Sequence, residues 1–328
     1  MDPSDRARPR TGSGRPPVGE LRSRLLGLFS APRVNMREDY AKVRRLQRAL
    51  AGLPSLRYQP IDVTARYGEG THPVPIRMFL PRERSREEVV LFLHGGGWVT
   101  GDVDSYTPAC AAIADALGCP VASVDYRLAP EHPFPAGLED CYRVARMFLA
   151  EPWRVGLEDA RSLVLMGDSA GGNLAAVVSQ RLAREGHGVP RRQILLYPVT
   201  QEDHDPATSP FESVRRYGEG LRLTSAEVRD YLELYVPDPT RRHDPEVAPL
   251  HGTDLTGQPD TLVITAQLDL LADEGAAYAA ALEAAGNRVR LHEVAGALHG
   301  FITLPRRARA PREALGVMTA FLDDGPPG

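Results

Sequence analysis

Ser169 lies in Gly167-Asp168-Ser169-Ala170-Gly171, directly after an apolar run ending at Met166 and directly before a helical pattern. A hydroxyl in that setting sits on a sharp strand-to-helix turn. Small neighbours permit the turn, the side chain is lifted above the sheet, and the helix N-terminus behind it favours developing negative charge. The chemistry this serves is nucleophilic attack on an acyl carbonyl. A second cluster, His94-Gly95-Gly96-Gly97-Trp98, follows the apolar run ending at Leu93. Acyl transfer passes through a tetrahedral oxyanion, and consecutive glycines let backbone N–H groups approach it closely. The expected donors are N–H groups of this glycine run and, as the third, that of Ala170, with His94 scaffolding the loop. The glycines carry no GK[ST] ending and no GxGxxG spacing, which argues against a phosphate loop.

A nucleophilic serine needs a base, and the chain has nine histidines. His299 stands in Ala295-Gly-Ala-Leu-His-Gly-Phe301, after a strand pattern over residues 289–294 and before the closing helix. That is the carboxyl end of the sheet, where α/β proteins meet their substrates. His292 falls within the strand and reads as a packed or solvated strand residue. His72, His187, His204, His243 and His251 fall in polar loops and read as exposed imidazoles. The acid is sought between serine and histidine, the chain order that accompanies a nucleophile on a strand-to-helix turn. Asp269 follows the strand pattern at 262–266 by a few residues and so projects from the same sheet edge. Asp273 is the rival, although it begins the next helix and has a role there as N-cap. The acid would accept the second ring N–H of His299 and stabilise the imidazolium.

These residues must be held by a sheet, and the apolar runs supply one. Residues 89–93, 121–124, 163–166, 194–197 and 262–265 are short and almost continuously apolar. They alternate with helical segments at 109–117, 138–149, 175–184 and 276–285. This is the pattern of buried parallel strands with crossover helices, an α/β architecture with a mostly parallel sheet. Two earlier runs, 61–67 and 74–80, flank Gly-Glu-Gly-Thr-His-Pro and read as an antiparallel hairpin at the sheet edge. Apolar residues at spacings of three and four between Leu21 and Leu50 predict two helices around a break at Ala31-Pro32. About sixty residues separate Tyr197 from Leu262, far more than an α/β connection needs. Within them, residues 226–236 predict a helix capped by Thr224 or Ser225.

Length and composition set the outer limits. The chain has 328 residues, 42% hydrophobic and 25% charged, enough apolar material for one large core. Its net charge of −4 comes from 39 basic and 43 acidic residues interleaved along the chain, which excludes an electrostatic footprint for nucleic acid. Cys110, Cys119 and Cys141 lack CxxC spacing and read as buried free thiols. The N-terminus has no apolar core of a signal peptide, and no later stretch is long and apolar enough to span a membrane, so a cytoplasmic protein is expected. Neither metal nor cofactor is expected.

Taken together, His94-Gly-Gly-Gly-Trp98, the Asp125-Tyr-Arg-Leu-Ala-Pro-Glu-His-Pro-Phe-Pro-Ala136 segment, Gly167-Asp-Ser-Ala-Gly-Gly-Asn173, Asp269-Leu-Leu-Ala-Asp-Glu-Gly275 and His299-Gly-Phe301 resemble the bacterial hormone-sensitive-lipase-like family of esterases. The resemblance spans roughly residues 55–322. It implies an α/β-hydrolase fold, a mostly parallel sheet flanked by helices, with a helical lid. It also implies hydrolysis of short to medium acyl esters through an acyl-enzyme, without cofactor. The family's triad falls on Ser169, Asp269 and His299, and its oxyanion donors on Gly96, Gly97 and Ala170. Two departures are Leu270, where the family has proline, and the small residues 295–298 before the histidine. Residues 125–136 are expected to brace the oxyanion loop. The implied organisation is a disordered tail at 1–18, lid helices at 19–54, core at 55–201 and 251–324, and a lid insertion at 202–250. Leu25, Leu26, Leu28, Phe29, Phe211, Tyr217 and Leu221 are apolar enough to line a pocket or simply to pack the lid. The partner is a small acyl ester, and a homodimer is allowed. A deacetylase or amidase, an acyltransferase, and a receptor on the same scaffold remain open, the last disfavoured by the presence of His299.

Overall fold

The computed structural model describes residues 35–50, 61–65 and 72–324. The expected tail, the first N-terminal helix with Leu25, Leu26, Leu28 and Phe29, and most of the hairpin turn lie outside the described residues. Eight strands form one sheet: β1 (Ile61–Ala65), β2 (Val74–Phe79), β3 (Val89–Leu93), β4 (Val121–Val124), β5 (Leu163–Asp168), β6 (Arg192–Leu196), β7 (Asp260–Leu268) and β8 (Val289–Leu298). Their order is β1-β2-β4-β3-β5-β6-β7-β8. Only β2 runs against the rest, pairing antiparallel with β1 and β4, and the other five pairings are parallel.

The continuous apolar runs follow from burial on both faces. Along β3, Val89, Leu91 and Leu93 enter one core and Val90 and Phe92 the other. The first core is covered by α3 (Ala136–Ala150), α4 (Ala170–Arg184) and α7 (Ala272–Ala284). The second is covered by α2 (Thr107–Leu117) and α8 (Arg309–Asp323). Each fully buried leucine or phenylalanine contributes about 1.5–3 kcal/mol, and an alternating apolar/polar strand would leave one of these layers without a partner surface. Cys110, Cys119 and Cys141 are free and buried, as expected, and burial pushes the Cys110 and Cys119 thiols up to about 12, which leaves them unreactive.

Between β6 and β7 lie a short helix α5 (Glu212–Tyr217), not foreseen in the sequence, and α6 (Ser225–Tyr235). Thr224 caps α6 in a reciprocal arrangement with Glu227, as its sequence position suggests. The second N-terminal helix, α1 (Met36–Leu50), rests on α6, where Arg37 pairs with Asp230 and Glu233. Both helices lie at the carboxyl ends of the parallel strands. Tyr217 and Phe211 are half-buried and pack against the core, and Leu221 is buried.

Candidate active site

Ser169 occupies the turn between β5 and α4 with φ 55° and ψ −120°, a left-handed backbone that a non-glycine residue adopts only when its surroundings enforce it. Its N–H donates to Leu196 O at 2.8 Å, and its carbonyl accepts from Val199 N at 3.3 Å and Asn173 N at 3.0 Å. The flanking glycines are required by space. A Cβ at Gly167 would stand 2.1 Å from Gly171 O, and one at Gly171 would stand 2.0 Å from Leu93 O. The turn is therefore wedged directly against the end of β3 and the glycine loop that follows.

Asp269 and His299 reach the serine because of an irregularity between β7 and β8. Ala266 pairs with Val294, but the next pair is Leu268 with Leu298, so β8 takes up two extra residues. Gly296 absorbs them at φ 70°, and its N–H donates to Gln267 Oε1 at 2.9 Å. The strand thus extends to Leu298, past the expected end at 294, and the small residues 295–298 are the material of the bulge. After it, Asp269 and His299 leave adjacent strands side by side. His299 Nδ1 stands 2.7 Å from Asp269 Oδ2 and Nε2 stands 2.9 Å from Ser169 Oγ. The Asp269 side chain is fully buried, and its other oxygen accepts the Leu271 N–H at 3.1 Å. Leu270 is fully buried, so the position that differs from the family pattern is filled by packing. Asp273 does not cap α7, whose first turn begins after Leu271 with no side-chain cap. It accepts the Ser213 N–H at 2.8 Å, which ties α5 to α7 and leaves Asp269 alone beside the imidazole.

The architecture and this geometry agree with what the chain is similar to. Residues 90–303 match the family model described as alpha/beta hydrolase fold. The chain belongs to that hydrolase family. It is 35% identical over 248 residues to an ethyl acetate hydrolase of Pseudomonas putida, covering 74% of this chain and 75% of the relative. It is 35% identical over 283 residues to carboxylesterase NlhH of Mycobacterium tuberculosis, covering 84% and 85%. The solved Pyrobaculum calidifontis esterase superposes with TM-score 0.77 at 32% identity, covering 90% of this chain and 96% of that one.

In this hydrolase the glycine loop is built to leave N–H groups free. Gly95 N donates to Asp168 Oδ1 at 2.8 Å. Among the described residues nothing accepts the Gly96 or Gly97 N–H, and Ala170 opens α4, where the first N–H groups have no intrahelical acceptor. Gly96 has φ 120° and Gly97 φ 61°. A Cβ at Gly97 would fall 2.3 Å from the Tyr231 ring of α6, so the insertion lies directly on the loop. Tyr235, one turn on, stacks on Trp98 with ring centroids 4.5 Å apart. His94 is buried, its Nδ1 2.9 Å from Gly95 O and its ring stacked on Tyr126, while burial holds its pKa down. Tyr126 OH donates to His94 O at 2.7 Å and Ala129 N to Trp98 O at 2.9 Å, so residues 125–136 contact the loop at both ends.

Three sets of residues escaped the sequence reading. Asp168 looks like the variable position of a motif, yet it is fully buried between the two glycine segments. One oxygen takes the Gly95 N–H, and the other accepts from Tyr106 OH at 3.0 Å and Tyr197 OH at 3.4 Å. Burial pushes its pKa up to about 6, against the pull of those hydrogen bonds. Next, α1 grips the loop with polar side chains. Arg44 donates to Val99 O at 2.6 Å and Ala129 O at 2.7 Å and pairs with Glu131, Gln47 Oε1 accepts the Gly101 N–H at 3.1 Å, and Arg48 pairs with Asp102. Their only signal was helical spacing of charges. Finally, His204 is not an exposed imidazole. It is fully buried, 2.8 Å from Glu274 Oε2, and Glu274 also accepts the Thr200 N–H at 2.7 Å. His243 is exposed as expected and His251 is half-buried, and both face Glu202. His292, as expected for a strand residue, is half-buried and 3.1 Å from Glu313. A cavity of about 50 Å³ between Glu88, Arg161 and Arg192 lies at the amino ends of β3, β5 and β6, the far edge of the sheet from Ser169.

Proposed function

We propose that this chain is a serine carboxylesterase of the hormone-sensitive-lipase-like branch, hydrolysing short to medium acyl esters through an acyl-enzyme. The observation that carries the reading is His299 standing between Ser169 Oγ at 2.9 Å and the buried Asp269 carboxylate at 2.7 Å. A carboxylate only accepts, so Asp269 holds the proton on Nδ1 and leaves Nε2 to take the serine proton. As Oγ attacks, the developing oxyanion meets the N–H groups of Gly96, Gly97 and Ala170. His299 then protonates the departing alcohol, and water repeats the sequence on the acyl-enzyme. The glycine loop, held from below by Asp168 and from above by Tyr231, supports preorganised donors over mobile ones. The ethyl acetate hydrolase and carboxylesterase among the relatives support an ester of modest size. Residues 202–250 together with α1 serve as the lid in this reading.

The test is turnover of p-nitrophenyl esters from acetate to laurate by the wild type, Ser169→Ala and Asp269→Asn. Turnover that peaks at short chains is expected, falling by about 10⁴-fold or more in each variant. A folded wild type without turnover, or a Ser169→Ala variant that retains it, would overturn the proposal.

A further inference from the structure

We propose that Glu202, His243 and His251 form a binding site for a zinc-type divalent transition-metal ion that clips the two ends of the insertion together. His243 Nδ1 is 2.6 Å from one oxygen of Glu202 and His251 Nε2 is 2.7 Å from the other. One donor atom from each of the three side chains lies within 4.8 Å of the other two. The imidazoles stack at 3.7 Å between ring centroids, and each turns a nitrogen to the same carboxylate. Two imidazole nitrogens and one carboxylate oxygen are a donor set for zinc and its neighbours in the transition series, not for magnesium or calcium, which take oxygen ligands. A tetrahedral ion with bonds of about 2.0 Å separates its ligands by about 3.3 Å. The ligating Glu202 oxygen must part from its histidine nitrogen by about 0.6–0.7 Å and the other imidazole must turn to the same ion, with water as fourth ligand.

The backbone around the three side chains is held in place independently of them. Leu250 N donates to Thr200 O at 2.9 Å, which ties the segment carrying His251 to the one carrying Glu202. Thr200 N is fixed in turn by Glu274, and Arg242 Nε bonds Val236 O at 3.1 Å beside His243. The donors are therefore arrayed before any ion arrives. His243 is 70% exposed, so an ion reaches the cluster from solvent. No ligand spacing announces the site in the sequence, because Glu202 is 41 and 49 residues from the two histidines. That separation also gives the ion its role. It joins the start of the insertion to its end and so restrains the segment bearing Tyr231 and Tyr235 on the oxyanion loop.

The experiment uses the full chain, dialysed against chelator and then equilibrated with micromolar zinc sulfate. Zinc retained after desalting and the melting temperature are read in parallel. The wild type and His299→Ala are expected to retain one equivalent and to melt about 2–4 °C higher with zinc than without. His243→Ala and Glu202→Gln are expected to show neither effect. Failure of the wild type to retain zinc, an equivalent that survives both substitutions, or its loss in His299→Ala would overturn the site. None of these readouts depends on ester turnover, so the outcome is separable from that of the esterase proposal.

Discussion

Replacing Arg44 with alanine removes a side chain that spans both walls of the glycine loop proposed to hold the oxyanion. Its guanidinium holds Val99 O at 2.6 Å and Ala129 O at 2.7 Å, and Ala129 N in turn holds Trp98 O at 2.9 Å. Hydrogen bonds from a charged donor contribute about 1.5–3 kcal/mol each when measured against an unpaired partner. The Arg44 side chain is 19% exposed, so water enters the vacated space and replaces part of that, leaving a net cost of about 1–2 kcal/mol. A loop released by that amount keeps its N–H donors but samples positions off the oxyanion. Removing a donor outright costs about 10²–10³-fold, whereas 1.4 kcal/mol of lost positioning corresponds to about tenfold. We therefore expect kcat on p-nitrophenyl acetate to fall about tenfold in Arg44→Ala with KM within about twofold, because the effect falls on the transition state. Arg44→Lys should recover only part of the loss, since one ammonium cannot serve two carbonyls and Glu131 with the geometry of a guanidinium. Steady-state kinetics on the three proteins decide the matter. A kcat in Arg44→Ala within twofold of wild type would refute the idea that α1 sets the loop.

Two further outcomes follow from buried charges. Burial lowers the His204 pKa, but the Glu274 charge and hydrogen bond, with smaller help from Glu202 and Asp203, give a net rise. A base held above its unfolded value contributes stability that is fully present below about pH 6.5 and is lost as pH rises through the folded value. His204→Ala should cost about 3–5 kcal/mol at pH 6 and flatten that dependence, and equal denaturant midpoints for the two proteins at pH 6 would refute the buried pair. Asp168 carries the same sign over a more acidic range. With its pKa raised from 3.8 to about 6, the native state holds the proton longer, so this residue's contribution to stability falls as pH rises from 3.8 towards 6 and stays at its reduced level above. Asp168→Asn removes that slope, and melting curves whose pH dependence over this range matches the wild type would contradict the assignment.

The parallel sheet is legible because strands buried on both faces cannot hide their composition, and β3, β5 and β7 each read as apolar runs. Ser169 and Asp269 are legible because each follows such a run, and His299 because it follows the next strand at the same sheet edge, where chemistry and spacing restrict the residue type. Asp168, Arg44 and His204 are illegible for the converse reason. Their roles depend on partners 73, 55 and 70 residues away, and nothing local distinguishes a buried carboxylate or imidazole from an exposed one. The bulge before His299 was visible only as a run of small residues. Its meaning comes from the register of β7, which a single strand does not encode.

His299 is delivered by β8, which among the described residues is an edge strand beside β7 and whose first residues are half-buried or exposed. Edges of sheets open locally at free energies below that of global unfolding. Such an opening carries the imidazole away while Ser169, deep in the middle of the sheet, stays where it is. The temperature at which turnover stops is therefore set by the hold of β7 on its outer neighbour, and inactivation on warming should run ahead of the melting of the core.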